Sequence, residues 1–94
     1  MVETVRPGYV YKDGVATSNF SDNRVKIVGY SNKLKIINDN DIDDLLFSLN
    51  REEDSTKVDG VVKPGEEFNL MDINQGLSSV AVKGDGEYRI WTYQ

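Results

Sequence analysis

The sequence predicts an all-β fold, a small antiparallel β-sandwich of about seven or eight strands. Three observations predict it. From Arg24 onward, apolar residues recur at every second position. Clusters of Gly, Asn, Asp and Pro break these runs at short intervals. No segment carries a convincing apolar stripe at helical spacing. The 94 residues suffice for one domain with a thin core.

Residues 1–23 are rich in turn formers and carry Tyr9 and Tyr11. Asp13-Gly14 is a tight-turn pair. "VRPGYVYKDGVAT" is therefore expected as a short hairpin, Val5 or Tyr9–Tyr11 pairing with Val15–Thr17, or as an extended arm on a neighbour. Pro7-Gly8 opposes a long strand there. The sandwich itself is expected over residues 24–94. "RVKIVGY" alternates Val25 and Ile27 with Arg24 and Lys26, and "KLKII" alternates Leu34 and Ile36 with Lys33 and Lys35. The polar break between them suggests a hairpin.

Residues 41–50 admit two periods. Ile42, Leu45, Leu46 and Leu49 fall at helical spacing, whereas Leu45, Phe47 and Leu49 share one strand face. A strand is expected, because Phe47 falls outside the helical stripe and the other strands need a partner. "REEDSTKVDG" reads as a polar loop, and Pro64-Gly65 as a turn between Val61-Val62 and Phe68. In "LSSVAVKGDGEYRIWTY", Ser78, Val80 and Val82 alternate, Gly84-Asp85-Gly86 turns the chain, and Tyr88, Ile90 and Thr92 alternate again. That pattern predicts a β-hairpin.

The chain has no cysteine and no histidine. Disulfides, thiolate sites, serine–histidine chemistry and histidine-ligated zinc are excluded. The net charge of -5 disfavours nucleic-acid binding. No run approaches membrane-spanning length and "MVETVRPGYVYKDG" lacks an apolar core, so synthesis in the cytoplasm without export is expected. No cofactor is expected.

Several stretches could carry chemistry. Asp39, Asp41 and Asp43 are spaced like the opening of a calcium loop. Asp44 then stands where a glycine is needed, and Asn50 where a bidentate glutamate is needed, so a solvated turn is the stronger reading. "KGDG" lacks the spacing and following helix of a phosphate loop. "REEDS" and Glu66-Glu67 could offer paired carboxylates, but neighbouring acids on a strand point to opposite faces. In "YRIWTY", inward Tyr88, Ile90 and Thr92 leave Arg89, Trp91 and Tyr93 outward. Such a row suits a protein interface or a sugar platform. It would also suit a strand covered on both faces, with the N-terminal segment as one cover. Arg89, Trp91, Tyr93, Tyr9 and Tyr11 are the candidate partner-binding residues; no catalytic or metal-binding residue is expected.

"KIINDNDIDDLLFSLN", "VDGVVKPGEEFNL" and "LSSVAVKGDGEYRIWTY" together resemble small β-sandwich structural proteins of tailed bacteriophages. The resemblance spans roughly residues 33–94. It implies a non-enzymatic virion protein, in head decoration, neck or tail, acting by protein–protein binding. It implies localisation in the virion after synthesis in the bacterial host cytoplasm. The partner would be a second copy of the chain or another virion protein. The alternative is a carbohydrate-binding module in a host-recognition device, with a glycan as ligand.

Overall fold

The computed structural model describes residues 2–52, 54–73 and 76–94. Nine strands lie among them: β1 (Glu3–Arg6), β2 (Tyr9–Val15), β3 (Arg24–Lys26), β4 (Lys33–Asn38), β5 (Leu45–Leu49), β6 (Gly60–Val62), β7 (Glu67–Leu70), β8 (Ser79–Lys83) and β9 (Glu87–Tyr93). They form two antiparallel sheets, one of five strands in the order β1-β2-β9-β4-β7, the other of four in the order β3-β8-β5-β6. The fold is the expected all-β sandwich, with nine strands rather than seven or eight. A short 3₁₀ turn, Phe20–Asn23, separates β2 from β3.

The two strand orders correspond. β2 continues into β3, β9 is preceded by β8, β4 continues into β5, and β7 is preceded by β6. Each pair keeps its neighbours when it passes from one sheet to the other. The sandwich is thus one antiparallel sheet of four long ribbons folded over on itself, with β1 added at an edge. Hydrogen bonds follow the chain round the crease. Ala16 N donates to Gly86 O (2.9 Å), Gly84 N to Thr17 O (2.9 Å), and Asp39 N to Glu87 O (3.0 Å).

This topology corrects two expected hairpins. β8 and β9 lie in different sheets, so Gly84-Asp85-Gly86 is an arch across the sandwich and not a hairpin turn. Val80 and Val82 pack towards Tyr88 and Ile90 across the core through their side chains. The segment between β3 and β4 crosses in the same way, so "RVKIVGY" and "KLKII" do not pair. An arch and a hairpin need the same local sequence: two alternating runs and a break that admits tight backbone. What separates them is whether the runs bond to each other or to strands elsewhere.

Residues 3–15 do form a hairpin, but around Pro7-Gly8. Arg6 pairs with Tyr9 and Glu3 with Lys12. Proline presets φ at the first corner, and Gly8 takes φ 75° at the second, the conformation of a type II turn. Asp13-Gly14 lies inside β2, paired with Arg89 and Tyr88. The N-terminal residues therefore extend the five-stranded sheet beside β9 and do not lie over it.

The core is drawn from the inward positions of both sheets. Val10, Leu34, Ile36, Val80, Val82 and Ile90 are fully enclosed, with Leu45, Phe47 and Tyr88 nearly so. Burying each such aliphatic side chain contributes about 1.5–3 kcal/mol. The expected strand at residues 45–49 is present, with Leu45 and Phe47 inward. On the far side of the four-stranded sheet, Ser48 and Ala81 are also fully buried.

Candidate interaction face

β9 is central in the five-stranded sheet, and its burial alternates: Tyr88, Ile90 and Thr92 are buried, whereas Arg89, Trp91 and Tyr93 are half-buried on the opposite face. β2 runs antiparallel beside it and alternates in phase, with Val10 and Lys12 inward and Tyr9 and Tyr11 outward. The register then fixes rows across the sheet. Trp91 stands between Tyr11 of β2 and Lys35 of β4. Tyr93 stands beside Lys33, and the pairing of Val10 with Thr92 puts Tyr9 on its other side. Arg89 stands between Asp13 and Ile37. All five residues singled out in the sequence, Tyr9, Tyr11, Arg89, Trp91 and Tyr93, therefore share one sheet face. No third layer covers that face among the described residues.

The side chains on this face hold one another. The rings of Tyr11 and Trp91 lie 4.6 Å apart at 48°. The Arg89 guanidinium lies 5.8 Å from the Trp91 ring. It also makes a two-pronged ion pair with Asp39, Nε to Oδ2 at 2.8 Å and Nη2 to Oδ1 at 2.9 Å. This paired carboxylate raises the guanidinium pKa further. Tyr11 Oη donates to Asp13 Oδ2 at 2.7 Å. That bond holds the tyrosine proton in place and raises the phenol pKa, and it lowers the pKa of Asp13. Arg6 lies over the Tyr9 ring at 4.6 Å and Lys33 over Tyr93 at 5.9 Å.

Charge is segregated along the strands. Arg6 and Lys33 flank the tyrosines at one end of the face, with Lys35 next to Trp91 in the middle. Asp13, Asp39 and Glu87 gather at the other end, where Arg89 is already neutralised by Asp39. These residues, with Gly14, Val15 and Tyr88, line an open cleft of about 350 Å³.

The sequence pointed to the aromatic members of this face and missed Arg6, Lys33, Lys35, Asp13, Asp39 and Glu87. Strand alternation could have assigned the lysines to one side of β4. Which strands are neighbours is a property of the long-range pairing, and no local signal carries it.

The acidic stretch is a turn at the crease. Asn38, 1% exposed, donates from Nδ2 to Asp43 O (2.8 Å) and Val62 O (3.0 Å), and its Oδ1 accepts from Asn40 N (2.9 Å). Asn40 Oδ1 in turn accepts from Ile42 N (2.8 Å). Successive Asx turns thus shape the loop. Its carboxylates point to different partners: Asp39 to Arg89 and Asp44 to Lys63. Among the described residues no three acidic side chains converge as metal ligands. "REEDS" and Glu66-Glu67 are likewise dispersed: Arg51 pairs with Asp59 at 2.6 Å and Glu67 with Lys35 at 3.8 Å, while Glu53 lies outside the described residues. No helix among the described residues is long and apolar enough to cross a membrane. Comparison with family models, with curated proteins and with solved structures finds no match for this chain.

Proposed function

We propose that the chain is a non-enzymatic binding protein that works by protein–protein contact through the outer face of its five-stranded sheet. The observation that carries this reading is the gathering of Tyr9, Tyr11, Trp91 and Tyr93, with Arg6, Lys33 and Arg89, on one uncovered face. Tyrosine, tryptophan and arginine dominate interface hot spots: the aromatic rings bury large area at small entropic cost, and the planar guanidinium stacks and bonds in two prongs. Here their conformations are already fixed by mutual contact, which lowers the cost of ordering them on binding. In the middle of the face Arg89 is held by Asp39 and Lys35 by Glu67, an arrangement suited to presenting a shape. A role as a structural component of a tailed-phage particle, in head decoration, neck or tail, rests on the sequence resemblance alone.

The test is capture by co-expression with the proteins encoded beside this chain. The tagged wild type is compared with Trp91→Ala and Tyr93→Ser, each checked for an unchanged circular dichroism spectrum. Retention of a particle protein, or of a second copy of the chain, that falls about tenfold or more in both variants supports the reading, since hot-spot truncation costs at least about 1.4 kcal/mol. Equal retention by all three forms overturns it. On a glycan array, binding that vanishes with Trp91→Ala would replace it with the carbohydrate reading.

A further inference from the structure

We propose that the occupant of this face is a second copy of the chain, docked face to face in antiparallel register. The inference rests on the binding reading above and names its partner.

The argument is charge complementarity under symmetry. A two-fold contact presents the same patch on both sides, so the patch must complement itself. Along β9, Tyr93 marks the basic end, flanked by Arg6 and Lys33, and Glu87 marks the acidic end, flanked by Asp13 and Asp39. Ile90 lies midway between them. A two-fold axis crossing the sheet at Ile90, perpendicular to the strands, reverses strand direction in the second copy. Each basic end then lies over the partner's acidic end. Lys33, in the column of β4, falls on the Asp39–Glu87 side of the other copy, next to its 350 Å³ cleft. Trp91 falls on the Arg89 row of the other copy, so two aromatic–guanidinium contacts form about the axis. A parallel arrangement would set like charges against each other at both ends. Any other partner would need this same bipolar pattern in reverse, and a second copy carries it by construction.

Size sets the strength. β9 has seven residues, about 23 Å at roughly 3.3 Å each, and five strands about 4.8 Å apart span roughly 19 Å. The face therefore offers roughly 440 Å² in projection, below the ~800 Å² per partner of a standard interface. The dimer is accordingly reversible and concentration-dependent. It weakens with salt, because its specificity lies in exposed charges.

Sedimentation equilibrium of the whole chain over about 10 µM to 1 mM tests this, a range set by the affinity expected of a small interface. The wild type should pass from monomer to dimer, and the dimer should loosen in about 0.5 M salt. Lys33→Glu and Glu87→Lys, two surface changes, should each dimerise at least about tenfold more weakly, since each places two like-charge pairs in the symmetric contact. Mixed in equal amounts the two variants should associate, because the carboxylate introduced in one copy then meets the ammonium introduced in the other. The salt response of the wild type needs no variant and stands if either fails to fold. A wild type that stays monomeric at every concentration overturns the second-copy proposal. So does a dimer unaffected by salt and by both variants, or a mixture that stays monomeric. If such a monomer still captures a neighbouring protein through Trp91 and Tyr93, the binding reading survives and only the partner changes.

Discussion

Asn38 is the residue whose replacement should tell most about how the crease is held. Its side chain is enclosed, and it bonds two carbonyls, Asp43 O and Val62 O, and one amide, Asn40 N, at 2.8 to 3.0 Å. Asn38→Ala removes all three bonds and leaves the partners under-satisfied where water has poor access. At about 1 kcal/mol per bond, the loss is about 3 kcal/mol. A chain of 94 residues has a total stability of roughly 5–14 kcal/mol, so this is a large fraction. The melting temperature should fall by about 12–24 °C, at about 4–8 °C per kcal/mol. Asn38→Asp keeps the shape but loses the donors and points a carboxylate at two carbonyl oxygens. At pH 7 it should cost more than the alanine variant, about 4 kcal/mol or above. Burial raises the folded-state pKa of that aspartate above its unfolded value of about 3.9. The folded state then binds the proton more tightly, so the defect shrinks as the pH is lowered towards the unfolded pKa. Urea unfolding followed by the fluorescence of Trp91, the sole tryptophan, measures both variants. A loss below about 1 kcal/mol for Asn38→Ala, or an Asn38→Asp variant as stable as wild type at pH 7, would refute the argument.

Three further outcomes follow from the same geometry. Gly60→Ala should destabilise by about 1–3 kcal/mol in urea, because the new Cβ would meet Phe47 Cε2 at 2.7 Å and Phe47 is boxed against Phe68 at 4.6 Å; adding Phe47→Leu should recover part of the loss. Gly8→Ala should cost about 1–2 kcal/mol from its positive φ, sharpened by Tyr30 O at 3.0 Å from the new Cβ, and thermal melts measure it. Asp59 has its pKa lowered first by the Arg51 hydrogen bond, with Leu49 N as a further donor. Its contribution is therefore present above the ordinary carboxylate value and lost as pH falls through the lower folded value. Stability measured from pH 7 down to about pH 2 should fall more gently in Asp59→Asn than in wild type; identical slopes would remove Asp59 from the account.

The strands were legible because alternation is a local pattern. β4, β5, β8 and β9 stand where the apolar rhythm of Leu34-Ile36, Leu45-Phe47, Val80-Val82 and Tyr88-Ile90 places them. Their partners were not legible. Gly84 and Gly86 permit tight backbone in an arch as readily as in a hairpin, and the choice falls to whether Val80 bonds across to β9 or lies beside Val25 and Leu49. Asp13-Gly14 shows the reverse failure: a strong local turn pair is overridden because β9 offers Asp13 and Gly14 a ladder on Arg89 and Tyr88. The interaction face was half legible. Parity along β9 placed Arg89, Trp91 and Tyr93 together, and composition drew attention to Tyr9 and Tyr11. The electrostatic polarity of the face came from register between β2, β9 and β4, which only the folded chain displays.

The position of β9 between β2 and β4 has a kinetic consequence. Val10 pairs with Thr92, and 92 − 10 = 82 positions separate them along the chain. β2 and β4 are joined only through β9, which lies between them. During synthesis they must wait, their inward residues exposed, for a strand made after both. Closing so distant a contact first costs loop entropy that local structure cannot defray. Folding should therefore be slow, in the millisecond-to-second range, and complete only when β9 has left the ribosome.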